Sequence, residues 1–173
     1  MRYLVNAGRL DQGSWYADEQ TEGSRFVGEG GHFVDLMSAW VDASPVTVHA
    51  VQPPGATDLN VTLTFEDGSV GALTYTTDGA RRAPKETFDC SGGGRSARLD
   101  NFTRATVWKS LGGKDVKRAL AGPDKGQTAA LDAFLGAVRT GSSMPIPRES
   151  LVATTHATLA VQASLLSSRS VSL

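Results

Sequence analysis

The chain has 173 residues, room for one domain with a core of its own, and its 17 basic and 18 acidic residues leave a formal net charge of −1. That balance, with no Lys/Arg stripe interleaved with aromatics, gives no reason to expect a nucleic-acid partner, and no apolar run approaches the length of a membrane span. The expected ligand is a small molecule and the expected compartment the cytoplasm, since the single cysteine, Cys90, excludes an internal disulfide framework and sits in a strand-like run where a buried thiol is inert. No charged-then-apolar leader opens the chain, which makes the sequons at Asn60 and Asn101 coincidental.

Arg2 to Ala7 reads as a short strand that must pair with later ones. Gly8 to Gly28 is rich in glycine, acids and amides, with isolated Trp15, Tyr16, Phe26 and Val27. This pattern fits a loop folded over a site and equally a surface loop pinned by one or two aromatics. The stretch from Gly28 to Leu36, Gly-Glu-Gly-Gly-His-Phe-Val-Asp-Leu, then leads a glycine cluster into a helix. Phe33, Leu36, Met37, Trp40 and Val41 recur there at helical spacing and commit one face to a core. His32 and Asp35, three residues apart, stack on one face of the expected first turn, where imidazole and carboxylate can act on one small molecule. In that position a helix N-terminus disfavours the imidazolium and the carboxylate favours it, so His32 is expected to titrate near neutrality while the glycines leave room for a ligand. The commoner arrangement behind H-x-x-D alone is a histidine that caps the helix and an aspartate that faces water.

Ser44-Pro45 ends the helix and Val46 to Val51 follows as a strand. Pro53-Pro54-Gly55 turns the chain into Leu59, Val61, Leu63 and Phe65, which alternate with Asn60, Thr62 and Thr64 in the period of a half-buried strand. Asp67-Gly68 signals a hairpin into Ser69 to Thr77, and Ser91 to Gly94 turns Glu86–Cys90 into Arg95–Asp100. Thr103 to Ser110 and Val116 to Leu120, joined across Gly112-Gly113, are two further candidates, for six or seven strands in all. Asp124 to Thr140 carries Ala130, Leu131, Phe134, Leu135 and Val138 on one helical stripe and stops at Gly141. Ile146-Pro147 then opens a last helix running to about Ser168, beyond which the polar tail is expected to fray. Helices at the ends and strands in the middle predict an α+β fold, a mostly antiparallel open-faced sheet with helices packed on one face. The other face then calls for a partner, and self-association through it, as a homodimer, is expected.

Taken together, the stretch around His32, the hairpin from Phe65 to Tyr75, the run Pro84-Lys85-Glu86, Gly93 to Ala97 with Leu99-Asp100, the start Val5-Asn6-Ala7-Gly8 and the late Asp124-Lys125-Gly126 resemble the C-terminal domain of the Gfo/Idh/MocA oxidoreductases. The resemblance spans nearly the whole chain. It implies an open-faced sheet domain that supplies substrate contacts and a catalytic histidine, matched here by His32, with Asp35 matching the aspartate one turn later. In that family a lysine from the preceding Rossmann half works beside the histidine, which relays a proton to or from a substrate hydroxyl while hydride moves to the nicotinamide. No G-x-G-x-x-G after a strand occurs in this chain, so the resemblance implies NAD(P) only with a separate Rossmann-domain partner and no cofactor bound by this chain alone. The residue four before the histidine, often aspartate in the dehydrogenases, is Gly28 here, and Glu29 lies one position away.

Lys85 and Glu86 point to opposite faces of a strand, so at most one joins His32. Lys85 is the candidate, standing in for the missing lysine, although an exposed lysine that blocks edge pairing accounts for it as well. Arg25 is a candidate for an anionic substrate group, and Asn6, Glu29 and Tyr75 are candidate polar wall residues. His49 and His156 have no metal-ligand spacing around them, and no metal site is legible. Two activities fit: the substrate domain of an NAD(P)-dependent oxidoreductase acting on a sugar, polyol or similar hydroxy or keto compound, or a cofactor-free isomerase, lyase or cyclase using His32 and Asp35 for proton transfer. A binding or scaffold subunit is the third possibility.

Overall fold

The computed structural model describes residues 1–10, 13–14, 24–118 and 122–173. In chain order they form β1 (Arg2–Asn6), α1 (Arg25–Val41), β2 (Pro45–Val51), β3 (Leu59–Phe65), β4 (Val70–Thr76), β5 (Glu86–Gly92), β6 (Arg95–Asp100), β7 (Arg104–Lys109), β8 (Lys114–Arg118), α2 (Gln127–Thr140), α3 (Arg148–Ser167) and β9 (Val171–Ser172). The strands make one nine-stranded open sheet in the order β8-β7-β6-β5-β1-β4-β3-β2-β9. Every neighbouring pair is antiparallel except β1 and β4, which run parallel with Tyr3 opposite Leu73 and Val5 opposite Tyr75. The expected α+β architecture is therefore present, with more strands than the six or seven expected.

Alternation along the strands decides which side is covered. Leu59, Val61, Leu63 and Phe65 are buried while Asn60 and Thr62 are exposed. Gly93 and Gly94, both at positive φ, form the two-residue turn between β5 and β6, a conformation that suits glycine and matches the sheet's twist. The inner face of the β1–β4 half packs under α1 and α3 through Tyr3, Val5, Leu73, Tyr75, Phe33, Met37 and Val161. Tyr3 and Phe33 meet edge to face with centroids 5.2 Å apart, as do Phe26 and Tyr75 at 5.5 Å.

Three expectations are corrected. The helix carrying His32 does not start at the glycine cluster: Ser24 is its N-cap, accepting from the Val27 N–H, so the glycines and His32 lie inside it. Gly30 is there because a Cβ would sit 2.6 Å from the Phe26 ring, which must fold back over it to reach Tyr75. The polar tail does not fray. Ser164, fully buried, accepts from the Ala50 N–H (2.9 Å) and donates to the Arg169 carbonyl (2.6 Å), and β9 pairs with β2. The helices do not all pack on the sheet either, because α2 leaves Leu131, Phe134, Leu135 and Val138 exposed. The expected loop from Gly8 to Gly28 falls mostly outside the described residues, as does the end of the strand expected to reach Leu120.

Below the inner layer the Tyr3 hydroxyl donates to the buried Glu86 carboxylate at 2.6 Å, and the Lys125 ammonium pairs with the other oxygen of Glu86. Burial first, and then the bond to Glu86 and its negative charge, push the Tyr3 phenol far above its ordinary range. Because the folded-state value is raised, this contribution to stability is complete below the unfolded phenol's range and is lost as pH rises through it, above about 10. Tyr3→Phe is expected to cost about 1–3 kcal/mol in urea denaturation at pH 7, since it leaves a buried carboxylate oxygen without its donor. It is also expected to remove part of the alkaline decline in stability; an unchanged midpoint at pH 7 would contradict the role given to this bond.

Candidate functional site

Helical periodicity sets Arg25, Glu29, His32 and Leu36 along one flank of α1. At its start the Arg25 guanidinium donates to the Gly8 carbonyl (2.6 Å), the Ala7 carbonyl (3.1 Å) and Glu29 Oε1 (3.0 Å), and lies over the Tyr75 ring. Glu29 Oε2 accepts from the Tyr75 hydroxyl at 2.8 Å. Three of the residues singled out in the sequence, Arg25, Glu29 and Tyr75, are thus brought into one network that clamps the exit of β1 to α1. The fork of Arg25 is used by the protein's own carbonyls and carboxylate, with 13% of its side chain exposed. Beside this network opens a cavity of about 320 Å³ lined by Arg25, Phe26, Leu59, Tyr75, Val161 and Gln162, apolar in body with a few polar groups at the rim.

His32 is exposed and forms no hydrogen bond or ion pair with another described residue. It stands two turns into α1, so the N-terminal field expected to act on it is not at hand. Glu29 and Asp35 lie three residues before and after it, the spacing that makes helix neighbours. Glu29 is committed to Arg25 and Tyr75, whereas Asp35, half-buried, lines a second cavity with Ser38, Asp42, Ser44, Glu66 and Ser150 near the start of α3. One helix therefore brings His32 and Asp35 close in sequence and turns them toward different surroundings.

The Lys85–Glu86 pair divides as strand alternation requires. Glu86 takes the inner face under Tyr3, and Lys85 is exposed, its carbonyl accepting from the Asn6 N–H at 2.7 Å. Asn6 donates its side-chain amide to the Ala80 carbonyl at 2.9 Å and so holds the loop before β5, while no described residue donates to its buried Oδ1. The lysine that is held against a carboxylate is Lys125, its ammonium 5.1 Å from the Phe102 ring centre. Sequence reasoning passed over Tyr3, Glu86 and Lys125, and only the inward parity of β1 and β5 could have pointed to the first two.

His49 on β2 and His156 on α3 stand on different elements, and among the described residues no group of three or more His, Cys, Asp or Glu side chains could hold a metal ion. Gly28, Gly30 and Gly31 lie within α1, not at a strand-to-helix turn, and Gly92 to Gly94 lie at a hairpin. No helix among them is long and apolar enough to cross a membrane.

The sequence matches no protein-family model and no curated protein. Its fold, however, is shared with solved oxidoreductases. An NAD-binding oxidoreductase from Klebsiella pneumoniae aligns with a TM-score of 0.81 at 15% identity, over 99% of this chain and 58% of its own. The aldose-aldose oxidoreductase from Caulobacter crescentus aligns at 0.78 and 15% identity over 99% and 55%, and the UDP-N-acetylglucosamine 3-dehydrogenase from Acidithiobacillus ferrooxidans at 0.74 and 16% over 96% and 53%. The chain therefore spans little more than half the length of these structures.

The geometry separates residues that hold the fold from those free to act. Arg25→Met is expected to destabilise the protein by about 1–3 kcal/mol, because it leaves Glu29 Oε1 and two carbonyls without the donor it supplies, and His32→Ala by no more than about 0.5 kcal/mol. Chemical denaturation of both variants checks this; equal losses would mean that His32 has a packing role.

Proposed function

We propose that this chain is the substrate half of an NAD(P)-dependent oxidoreductase acting on a sugar, a polyol or a similar hydroxy or keto compound, with His32 exchanging the proton of the reacting hydroxyl. The reading rests on the alignment of 96–99% of the chain with about half of each of these oxidoreductases, among them enzymes named for aldose and UDP-sugar chemistry. An exposed histidine with no described partner is available for such an exchange.

Oxidising a secondary alcohol removes a proton from oxygen and a hydride from carbon. A neutral imidazole accepts the first, and returns it in the reverse direction. None of the described residues accepts the second, so the reading requires a nucleotide-binding domain beside this one, on the same polypeptide or another. Asp35, one helical turn from His32, is assigned a lesser role, since it opens into a separate cavity, and Glu29 is held by Arg25 and Tyr75. Lys85, exposed and joined through its carbonyl to the Asn6 N–H at the end of β1, is assigned to hold a substrate oxygen. Because the chain's glycines offer no dinucleotide seat, a second reading stays open in which His32 and Asp35 move protons without a cofactor, as in an isomerase. Deuterium taken from solvent into an aldose or ketose without nicotinamide would favour that second reading.

The outer sheet face carries the exposed apolar residues Leu4, Val70 and Trp108 among threonines and the Arg2–Asp89–Arg98 ion pairs, and we assign to it a second copy of the chain.

Three outcomes are expected. The chain alone binds neither NADH nor NADPH in calorimetric titration, and saturable micromolar binding would contradict the cofactor reading. In an assay supplied with the nucleotide-binding domain, His32→Ala lowers turnover by about a hundred- to ten-thousand-fold while circular dichroism stays unchanged, and Asp35→Asn lowers it less. Wild-type turnover in folded His32→Ala protein would move the site elsewhere. Light scattering at high micromolar concentration gives the mass of a dimer, reduced to a monomer by Leu4→Lys; a strict wild-type monomer would contradict the sheet interface.

A further inference from the structure

The cavity beside the Arg25 network is built by four elements and is used by none of the chemistry assigned to His32. Its walls are Phe26 of α1, Leu59 of β3, Tyr75 of β4 and Val161 of α3, all buried, with Leu59 opposite Tyr75 in the β3–β4 register. α1 and α3 come close at Gly31, where a Cβ would lie 3.7 Å from Thr158 Oγ1. Toward the start of α1 the contact passes to Gln162, whose Nε2 donates to Ser24 Oγ at 3.2 Å, and the cavity of about 320 Å³ opens beside that bridge. Gln52 lines it from the link between β2 and β3, its Nε2 donating to the Ala56 carbonyl at 2.8 Å.

Charge and hydrogen bonding fix the class of ligand. Among the described lining residues Arg25 is the one charged side chain, and its fork is spent on the Gly8 and Ala7 carbonyls and on Glu29. Buried aliphatic and aromatic walls without a free charge select an uncharged ring. Each glutamine spends an N–H on the protein, while among the described residues nothing donates to its Oε1. Amide oxygens at the rim of an apolar cavity are matched by a hydroxyl or N–H on the ligand. We propose that this cavity is a second small-molecule site, separate from the surroundings of His32, and that it takes an uncharged cyclic compound whose ring lies against Phe26, Tyr75 and Val161 and whose hydroxyl or N–H donates to Gln52 or Gln162. The volume, at the lower end of the range for small-molecule sites, suits one or two rings. The separation follows from the helix: His32 stands roughly 10 Å along α1 from Arg25, and the Arg25–Glu29 pair occupies the flank between them. The proposal does not rest on the oxidoreductase reading, and neither falls with the other.

The test is NMR of the methyl and imidazole resonances of the whole chain, with benzyl alcohol as the probe and toluene and benzoate as its hydroxyl-free and anionic counterparts. Benzyl alcohol is expected to shift the methyls of Leu59, Val161 and Leu165 saturably at millimolar concentration and to leave the His32 imidazole in place. Benzoate at the same concentrations leaves these methyls unmoved. Gln52→Leu combined with Gln162→Leu lowers the affinity for benzyl alcohol relative to toluene by about three- to tenfold. Leu165→Trp, and Leu166→Trp at a position 90% exposed, fill the cavity from its rim and abolish the shifts with circular dichroism unchanged. No saturable shift with benzyl alcohol, or shifts that persist in both folded tryptophan variants, overturns the site. Benzoate bound as well as benzyl alcohol overturns the ligand class, since Arg25 would then be meeting an anion there. An unchanged preference over toluene in the double glutamine variant overturns the role of the amides. A His32 shift that saturates together with the methyl shifts makes the cavity an arm of the site at His32 and overturns the separation.

Discussion

Two tyrosines buried under one helix impose the constraint on which this structure depends. Tyr3 on β1 and Tyr75 on β4 supply the aromatic floor beneath Phe26 and Phe33 of α1, and a phenol taken from water must find an acceptor. Each finds a glutamate, and each glutamate is held by a cation: Tyr3 on Glu86 with Lys125, and Tyr75 on Glu29 with Arg25. The two chains of contacts tie elements far apart in sequence to the parallel pair at the middle of the sheet. Removing one donor leaves one oxygen of a carboxylate without its partner, the cost expected at these positions.

The same arrangement explains which parts of the molecule are free for chemistry. Arg25 and Glu29 look like ligand-binding residues in isolation, but their polar atoms serve the protein itself. His32, on the same flank of α1, is exposed to solvent. Asp35 opens into a different cavity, so the pair suggested by H-x-x-D shares a helix more than a site.

Much of the fold was legible because its signals are local. The alternation from Leu59 to Phe65, the turn at Asp67-Gly68 and the glycines between β5 and β6 each fix a strand or a hairpin without reference to the rest of the chain. The start of α1 was misplaced because Gly30 reads as a helix breaker, and the reason for it, the Phe26 ring folded back onto Tyr75, is a tertiary contact. β9 was missed for the same reason: Ser164, which closes the end of α3 onto β2, reads as an ordinary polar residue. Of the candidate site, Arg25, Glu29 and Tyr75 were picked out one by one, but that they form a single network depends on β1 and β4 being neighbours, which no local pattern declares. Glu86 was set aside in favour of Lys85 because a buried glutamate makes sense only once Tyr3 and Lys125 are seen to meet it.

The central claim is that His32 faces a sugar or polyol hydroxyl. With three histidines in the chain, an NMR titration of the imidazole resonances against a panel of aldoses, ketoses and polyols tests it most directly. The account predicts a saturable shift of the His32 resonances with one class of these compounds while those of His49 and His156 stay in place. A panel that leaves His32 unmoved, or one that moves His49 or His156 in its stead, would contradict it.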